Sequence, residues 1–177
     1  MKPLLIGLTG YKQSGKGVVA DHLVRQYGFR RFEWAMRLKL ALQAMGVHED
    51  YLFGHRKHEI VPGFGHTARY LMQTLGTEWG RDLVKKNLWV DLSCQLDIDP
   101  ALREGRFVVM EGTRFPNEVQ AIVDRGGWII QINRPGCVPD GHRSEILPEC
   151  DIQIENNGTV EELLRKVDEE MYILLSP

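Results

Sequence analysis

The stretch Gly10-Tyr11-Lys12-Gln13-Ser14-Gly15-Lys16 has the residue types and spacing to do chemistry on phosphate. It reads G-x-x-x-x-G-K, in which glycines let the backbone approach an anion, successive N–H groups wrap a di- or triphosphate, and the lysine reaches the terminal oxygens. Its meaning depends on lying between a buried strand and a helix, and both neighbours fit. Leu4 to Thr9 is a continuous apolar run, as in a strand buried on both faces. Val18, Val19, Leu23 and Val24 recur at helical spacing until Gly28, which predicts a packed face and a glycine stop. Gly10, Gln13, Ser14, Gly15, Lys16, Gly17 and Val18 are therefore assigned to the phosphates of a nucleotide donor, with the positive amino end of the helix behind them. One position departs from the pattern. Gly17 and then Val18 follow Lys16, where a Ser or Thr hydroxyl normally ligates Mg²⁺.

Other cationic and polar residues could serve a second phosphate. Arg69, Gln73 and Thr77 follow one another at i, i+4, i+8 on a predicted helix over residues 67–82, with Leu71, Met72, Leu75 and Trp79 on the packed side. A guanidinium can grip a phosphate through two parallel hydrogen bonds, so Arg69 and Arg114 are candidate clamps, and Gln73 can offer a donor and an acceptor to a base edge. Arg114 follows the strand-like run Phe107–Met110, outside the carboxyl end of a strand. Trp89 is open to two roles, core residue or flat wall against a base. His55, His58 and Glu59 lack a third grouped ligand and read as solvated charge. Arg134 and Arg143 flank a Gly- and Pro-bearing loop over about 134–145, which has the length of a lid.

These residues must be positioned by alternating elements. Besides Leu4–Thr9, strand-like runs occur at Phe107–Met110 and Trp128–Ile132. Helices are predicted at Met36–Met45, around Val119, Ile122 and Val123, and after Thr159-x-x-Glu162, a capping box leading into Val160, Leu163, Leu164, Val167 and Met171. Such alternation predicts an α/β fold of three layers, α/β/α, with a mostly parallel sheet. The 177 residues, 43% hydrophobic, suit one domain, 1–177, with a helical region over about 36–104. A formal net charge of −2 argues against a nucleic acid polymer or an anionic membrane as partner. With no long apolar segment, the chain is expected to be cytoplasmic. Cys94, Cys137 and Cys150 form no CxxC pair and are expected to be reduced.

Several blocks resemble the deoxynucleoside monophosphate kinases typical of bacteriophages, a P-loop kinase family. They are Ser14-Gly15-Lys16 with Ala20-Asp21, Arg69-Tyr70-Leu71-Met72-Gln73-Thr74-Leu75-Gly76-Thr77-Glu78, Leu88-Trp89-Val90, Thr113-Arg114-Phe115-Pro116-Asn117-Glu118, Arg134-Pro135-Gly136, His142-Arg143-Ser144-Glu145 and Asn157-Gly158-Thr159-Val160-Glu161-Glu162-Leu163. They run in family order over nearly the whole chain. The resemblance implies transfer of the ATP γ-phosphoryl to a deoxynucleoside monophosphate (dNMP) with Mg²⁺. It places Lys12, Arg56, Arg69, Gln73, Thr77, Trp89 and Arg114 around the acceptor. Catalytic roles then fall to Lys16, Lys12, Arg69 and Arg114, and Arg134 joins the ATP-binding residues. A homodimer is compatible with it. Family acids are expected where Gly17 and Gly112 stand, and Glu111 is the nearest substitute for holding the metal through water. Two other readings stay open from the sequence: a dephospho-CoA-type small-molecule kinase, for which Leu8-Thr9-Gly10 would also serve, and a nucleotide-binding module without catalysis.

Overall fold

The computed structural model describes residues 3–138 and 147–176. Arg143 and most of the expected lid lie outside them. The chain divides into two compact units, one made of residues 1–33 and 97–177, the other of residues 34–96.

The first unit is built on a five-stranded parallel sheet. Its strands are β1 (Leu5–Thr9), β2 (Arg30–Glu33), β3 (Val108–Glu111), β4 (Trp128–Asn133) and β5 (Ile152–Glu155), in the order β2-β3-β1-β4-β5. The apolar runs read from the sequence are the three inner strands, which is why they are apolar on both faces. Strand periodicity divides the packing. Leu4, Ile6, Leu8, Val109, Ile130 and Ile132 form one core with Val19, Ala20 and Leu23 of α1 (Lys16–Tyr27) and Leu163, Val167 and Met171 of α8 (Val160–Leu175). On the other face α7 (Pro116–Val123) lies against β1 and β4, with Ala121 and Ile122 buried. The result is the expected α/β/α layering.

Several boundaries differ from expectation. Val18 and Val24 are exposed, because Val19, Ala20 and Leu23 alone form the inward stripe of α1. Gly28 ends α1 at φ +72°, its N–H bonding to the carbonyls of Leu23 and Val24. β2, with sequence RRFE, and β5, with sequence IQIE, are edge strands that are half exposed and carry no continuous apolar run. The capping box of α8 forms as read: Thr159 N donates to Glu162 Oε2 at 2.8 Å and Thr159 Oγ1 accepts from Glu162 N at 3.3 Å.

The second unit is helical. It comprises α2 (Met36–Ala44), α3 (Glu49–Leu52), a 3₁₀ turn at Arg56–His58, α4 (Ala68–Gln73) running on as a π-helical segment Thr74–Val84, and α5 (Leu88–Ser93). Leu42, Val47, Tyr51, Leu52, Val61 and Ala68 form its core, with Leu71, Met72 and Leu75 against it. The short α6 (Asp99–Arg103) belongs to the sheet unit, where Arg125 of the α7–β4 turn donates to Asp99 Oδ1 at 2.6 Å. Trp79 is 48% exposed rather than buried, its ring tilted against that of Trp89 at 6.3 Å between centroids. Its expected place came from a wheel of 3.6 residues per turn, and i→i+5 bonding beyond Thr74 shifts the phase. The side turned inward there is Gly76 and Gly80, both buried. A Cβ on Gly80 would stand 2.4 Å from Trp89 Nε1, so only a glycine allows that approach.

Candidate active site

In the sheet unit the carboxyl ends of the strands share one edge, because Leu8 pairs with Glu111, Thr9 with Gln131 and Asn133 with Glu155. Ligands of open α/β sheets bind outside such an edge. The segment Gly10–Lys16 leaves β1 here. Ser14 N donates to Tyr11 O at 3.2 Å to close a turn, Gln13 takes φ +65° and Gly15 takes φ +107°. A positive φ at Gln13 costs on the order of 1–2 kcal/mol, strain of the kind that gathers at functional loops. Gly15 is the N-cap of α1. It supplies no side-chain cap, and the first turn contains no acid, so the positive end of the helix is left for an anion. Lys16 Nζ is drawn inside the loop, 2.9 Å from Gly10 O and 2.6 Å from Tyr11 O. Its ammonium is thus held within the loop that leaves β1. Lys12 and Val18 are exposed beside the loop, and an Arg134 guanidinium nitrogen lies 3.4 Å from Gln13 O.

Gly17 is helical and open. The nearest atoms to a Cβ built on it are Glu111 Oε1 at 3.7 Å and Arg31 Nη2 at 3.9 Å. Glu111 ends β3 beside the position of the missing hydroxyl, but it does not stand alone. Arg31 of β2 pairs with Glu111 through Nη2 and with Asp21 of α1 through Nη1, the latter at 2.6 Å. Next to it Gly112 adopts φ +76°, a conformation that favours glycine over the expected acid. Glu118, buried at the start of α7, accepts from Arg114 N at 2.8 Å and Phe115 N at 3.1 Å, fixing the turn that presents Arg114. No ion pair holds the Arg114 guanidinium among the described residues.

In the helical unit Arg69, Gln73 and Thr77 are all exposed, as their spacing predicts. Arg69 likewise has no ion-pair partner among the described residues. Thr67 caps the helix by accepting from Tyr70 N at 3.2 Å, and His66 stacks on Tyr70 with ring centroids 4.4 Å apart. Arg56 is differently placed. It is bonded to Glu59 at 2.8 and 2.9 Å and lies over the Tyr51 ring at 4.3 Å. The hydrogen bond from Arg56 holds the Glu59 carboxyl below its usual range. Trp89 is 8% exposed, and its Nε1 donates to Gly76 O at 2.8 Å. Among the described residues no group of three or more His, Cys, Asp or Glu is arranged to hold a metal ion, and His55 and His58 join none.

Two residues at this edge were not read from the sequence. Arg31 sits in a polar edge strand, and Asn156 follows β5 and donates from Nδ2 to Ser14 O at 2.8 Å.

Comparison with known proteins gives concordant results. Residues 64–167 match the family model described as deoxynucleotide monophosphate kinase. A protein of Acanthamoeba polyphaga mimivirus, provisionally described as a deoxynucleotide monophosphate kinase, is 32% identical over 93% of this chain and 94% of its own length. The deoxynucleotide monophosphate kinase of Escherichia phage RB69 is 30% identical over 58% of this chain and 43% of its own. Among solved structures, a Thermus thermophilus protein superposes with a TM-score of 0.58 at 18% identity, covering 99% of this chain and all of that one. Shikimate kinase from Aquifex aeolicus gives 0.57 at 13% identity, covering 96% of each. At these identities the structural likeness speaks for the fold alone, that of P-loop kinases.

Proposed function

Because the chain belongs to the deoxynucleotide monophosphate kinase family, and so transfers the γ-phosphoryl of ATP to a dNMP to give the diphosphate, we propose a division of labour among its residues. Gly10, Gln13, Ser14, Gly15, Lys16, Gly17 and Val18, with Arg134, serve the ATP phosphates. Arg69 and Arg114 clamp the acceptor monophosphate, Gln73 and Thr77 serve its nucleoside, and Lys12 adds charge where the two phosphates meet. The observation that carries this reading is the uncapped amino end of α1 with Lys16 Nζ already inside the loop.

An oxygen of the acceptor phosphate attacks the γ-phosphorus, and the bond from that phosphorus to the β,γ-bridging oxygen breaks, so ADP leaves with the extra negative charge. The protein supplies no covalent step. It holds the partners in line and offsets charge that spreads over the transferring oxygens. Lys16 meets that charge on the donor, and two guanidinium groups with no carboxylate partner among the described residues can spend their hydrogen bonds on the acceptor. The ion pair with Glu59 makes Arg56 a weaker candidate than its family position implies.

Magnesium fits this donor set only as an ion carried mainly by the nucleotide. One carboxylate, Glu111, lies next to Gly17, and Arg31 joins it to Asp21. Mg²⁺ commonly keeps several waters and takes one or two carboxylates beside substrate phosphates, so Glu111 would act through water. When bound, the ion would neutralise the β and γ oxygens.

The test is an ADP-coupled assay with ATP, Mg²⁺ and each common dNMP and NMP in turn. Transfer to at least one dNMP is expected, and transfer to none would refute the assignment.

A further inference from the structure

We propose that Asn156 is a positioning residue for phosphoryl transfer: its carboxamide holds the Ser14–Gly15 peptide in the orientation that turns the Gly15 N–H toward the ATP phosphates. The inference rests on the reading of Gly10–Lys16 as the ATP loop.

Asn156 is fixed at both ends. Its own N–H donates to Asn133 O at 2.6 Å, which ties it to the end of β4. Its Nδ2 donates to Ser14 O at 2.8 Å, and the residue is only 9% exposed. A trans peptide is planar, with its carbonyl and N–H pointing in opposite directions. Holding the Ser14 carbonyl toward Asn156 therefore turns the Gly15 N–H away from it.

Without that bond the peptide has an alternative. Gly15 sits at φ +107°, and a glycine populates both signs of φ with similar ease, so rotation of the 14–15 peptide is sterically open. The rotated peptide would aim a carbonyl oxygen at phosphate oxygens where an N–H is wanted. Lys16 Nζ meanwhile bonds to Gly10 O, Tyr11 O and, at 3.4 Å, Ser14 Oγ. The carboxamide also fills the side-chain space of Gly15: Nδ2 stands 2.7 Å from where a Cβ would be, with Leu163 Cδ2 at 3.2 Å. The glycine gives the loop its shape, and Asn156 removes the freedom that comes with it.

The test compares wild type, Asn156→Ala and Asn156→Asp. The second variant keeps the volume and sets a carboxylate oxygen against the Ser14 carbonyl. ATP affinity is measured by calorimetry, KM for ATP and for dNMP by the coupled assay, folding by melting temperature, and the Gly15 amide by its ¹H–¹⁵N resonance with and without ATP. Loss of one buried hydrogen bond predicts an ATP Kd raised about tenfold to a hundredfold in Asn156→Ala, and at least as much in Asn156→Asp. KM for dNMP should stay within about twofold, since the acceptor makes no use of that peptide. The Gly15 resonance should no longer reach its wild-type ATP-bound position. A folded Asn156→Ala with wild-type ATP affinity overturns the proposal, and so does a loss in dNMP KM equal to that in ATP. Should the alanine variant melt below the assay temperature, Asn156→Asp is judged by the same two criteria. A wild type that fails to bind ATP would instead refute the assignment of the loop.

Discussion

Glu111 Oε1 lies 3.7 Å from the point a Cβ on Gly17 would occupy, so the carboxylate ending β3 stands beside the place where a magnesium-binding hydroxyl is usual. No atom outside its own helical turn and its chain neighbours is closer, and Gly17 is helical, so a small side chain should fit. Gly17→Ser is expected to fold, gaining roughly half a kcal/mol from helix propensity. It should also lower the Mg²⁺ concentration needed for half-maximal rate. A titration curve unchanged from wild type would show that the hydroxyl is not missed.

Glu111→Gln tests the same site from the other side. The variant keeps the shape but loses the charge that Arg31 and a hydrated ion would share. Half-maximal rate should need more Mg²⁺ and kcat should fall, while the melting temperature changes little because both side chains are partly solvated. Superimposable Mg²⁺ titrations, read both by initial rate and by ATP binding, would remove Glu111 from metal handling and leave it as a partner of Arg31.

Lys16→Ala should leave a folded protein with turnover lower by several orders of magnitude. The ammonium is wanted most where the transferring oxygens gather charge, so kcat should fall further than ATP affinity. Its bonds to Gly10 O and Tyr11 O bind the side chain to the loop itself, and a melting curve separates that contribution from catalysis. Near wild-type turnover would sink the assignment.

Arg69→Ala and Arg114→Ala should each reduce kcat/KM for dNMP by ~10² or more, as expected for a lost charge-assisted hydrogen bond worth about 3 kcal/mol. ATP affinity should be spared. Arg56→Ala should do much less, because that guanidinium is already committed to Glu59 and Tyr51. Gln73→Ala should reorder the preference among bases. Equal damage to ATP affinity in the Arg69 and Arg114 variants would mean that donor and acceptor sides had been exchanged.

Legibility from sequence followed the range of the interactions. β1 and β3 are visible because burial on both faces writes a continuous apolar run, β4 because Ile129, Ile130 and Ile132 surround a single buried Gln131, and the loop after β1 because its contacts are local. β2 and β5 lie at sheet edges and carry no such run. Arg31 reaches Glu111 across 80 positions, and Asn156 reaches Ser14 across 142, so no spacing rule brings them together. Trp79 was misplaced for a different reason. A helical wheel assumes one period, and the chain changes period at Thr74.

That change of period also makes a stability prediction. Gly80 in an ordinary exposed helix would be improved by alanine by about 1 kcal/mol. Here a Cβ would meet Trp89 Nε1 at 2.4 Å, Cε2 at 2.8 Å and Cζ2 at 2.9 Å, and the rigid, buried indole cannot swing away while it bonds to Gly76 O. Overpacking of this kind costs about 1–3 kcal/mol, so the clash should outweigh the propensity gain and Gly80→Ala should destabilise. Trp89→Leu removes all three atoms that the methyl would strike. Alone it should cost about 3–5 kcal/mol, from the cavity and from a Gly76 carbonyl left without its donor. Together the two changes should cost less than their sum, because the methyl enters space the indole has vacated. Urea unfolding of the two single variants and the double variant measures this coupling. Additive losses, or a Gly80→Ala variant more stable than wild type, would show that the indole does not govern the packing of the π-helical segment.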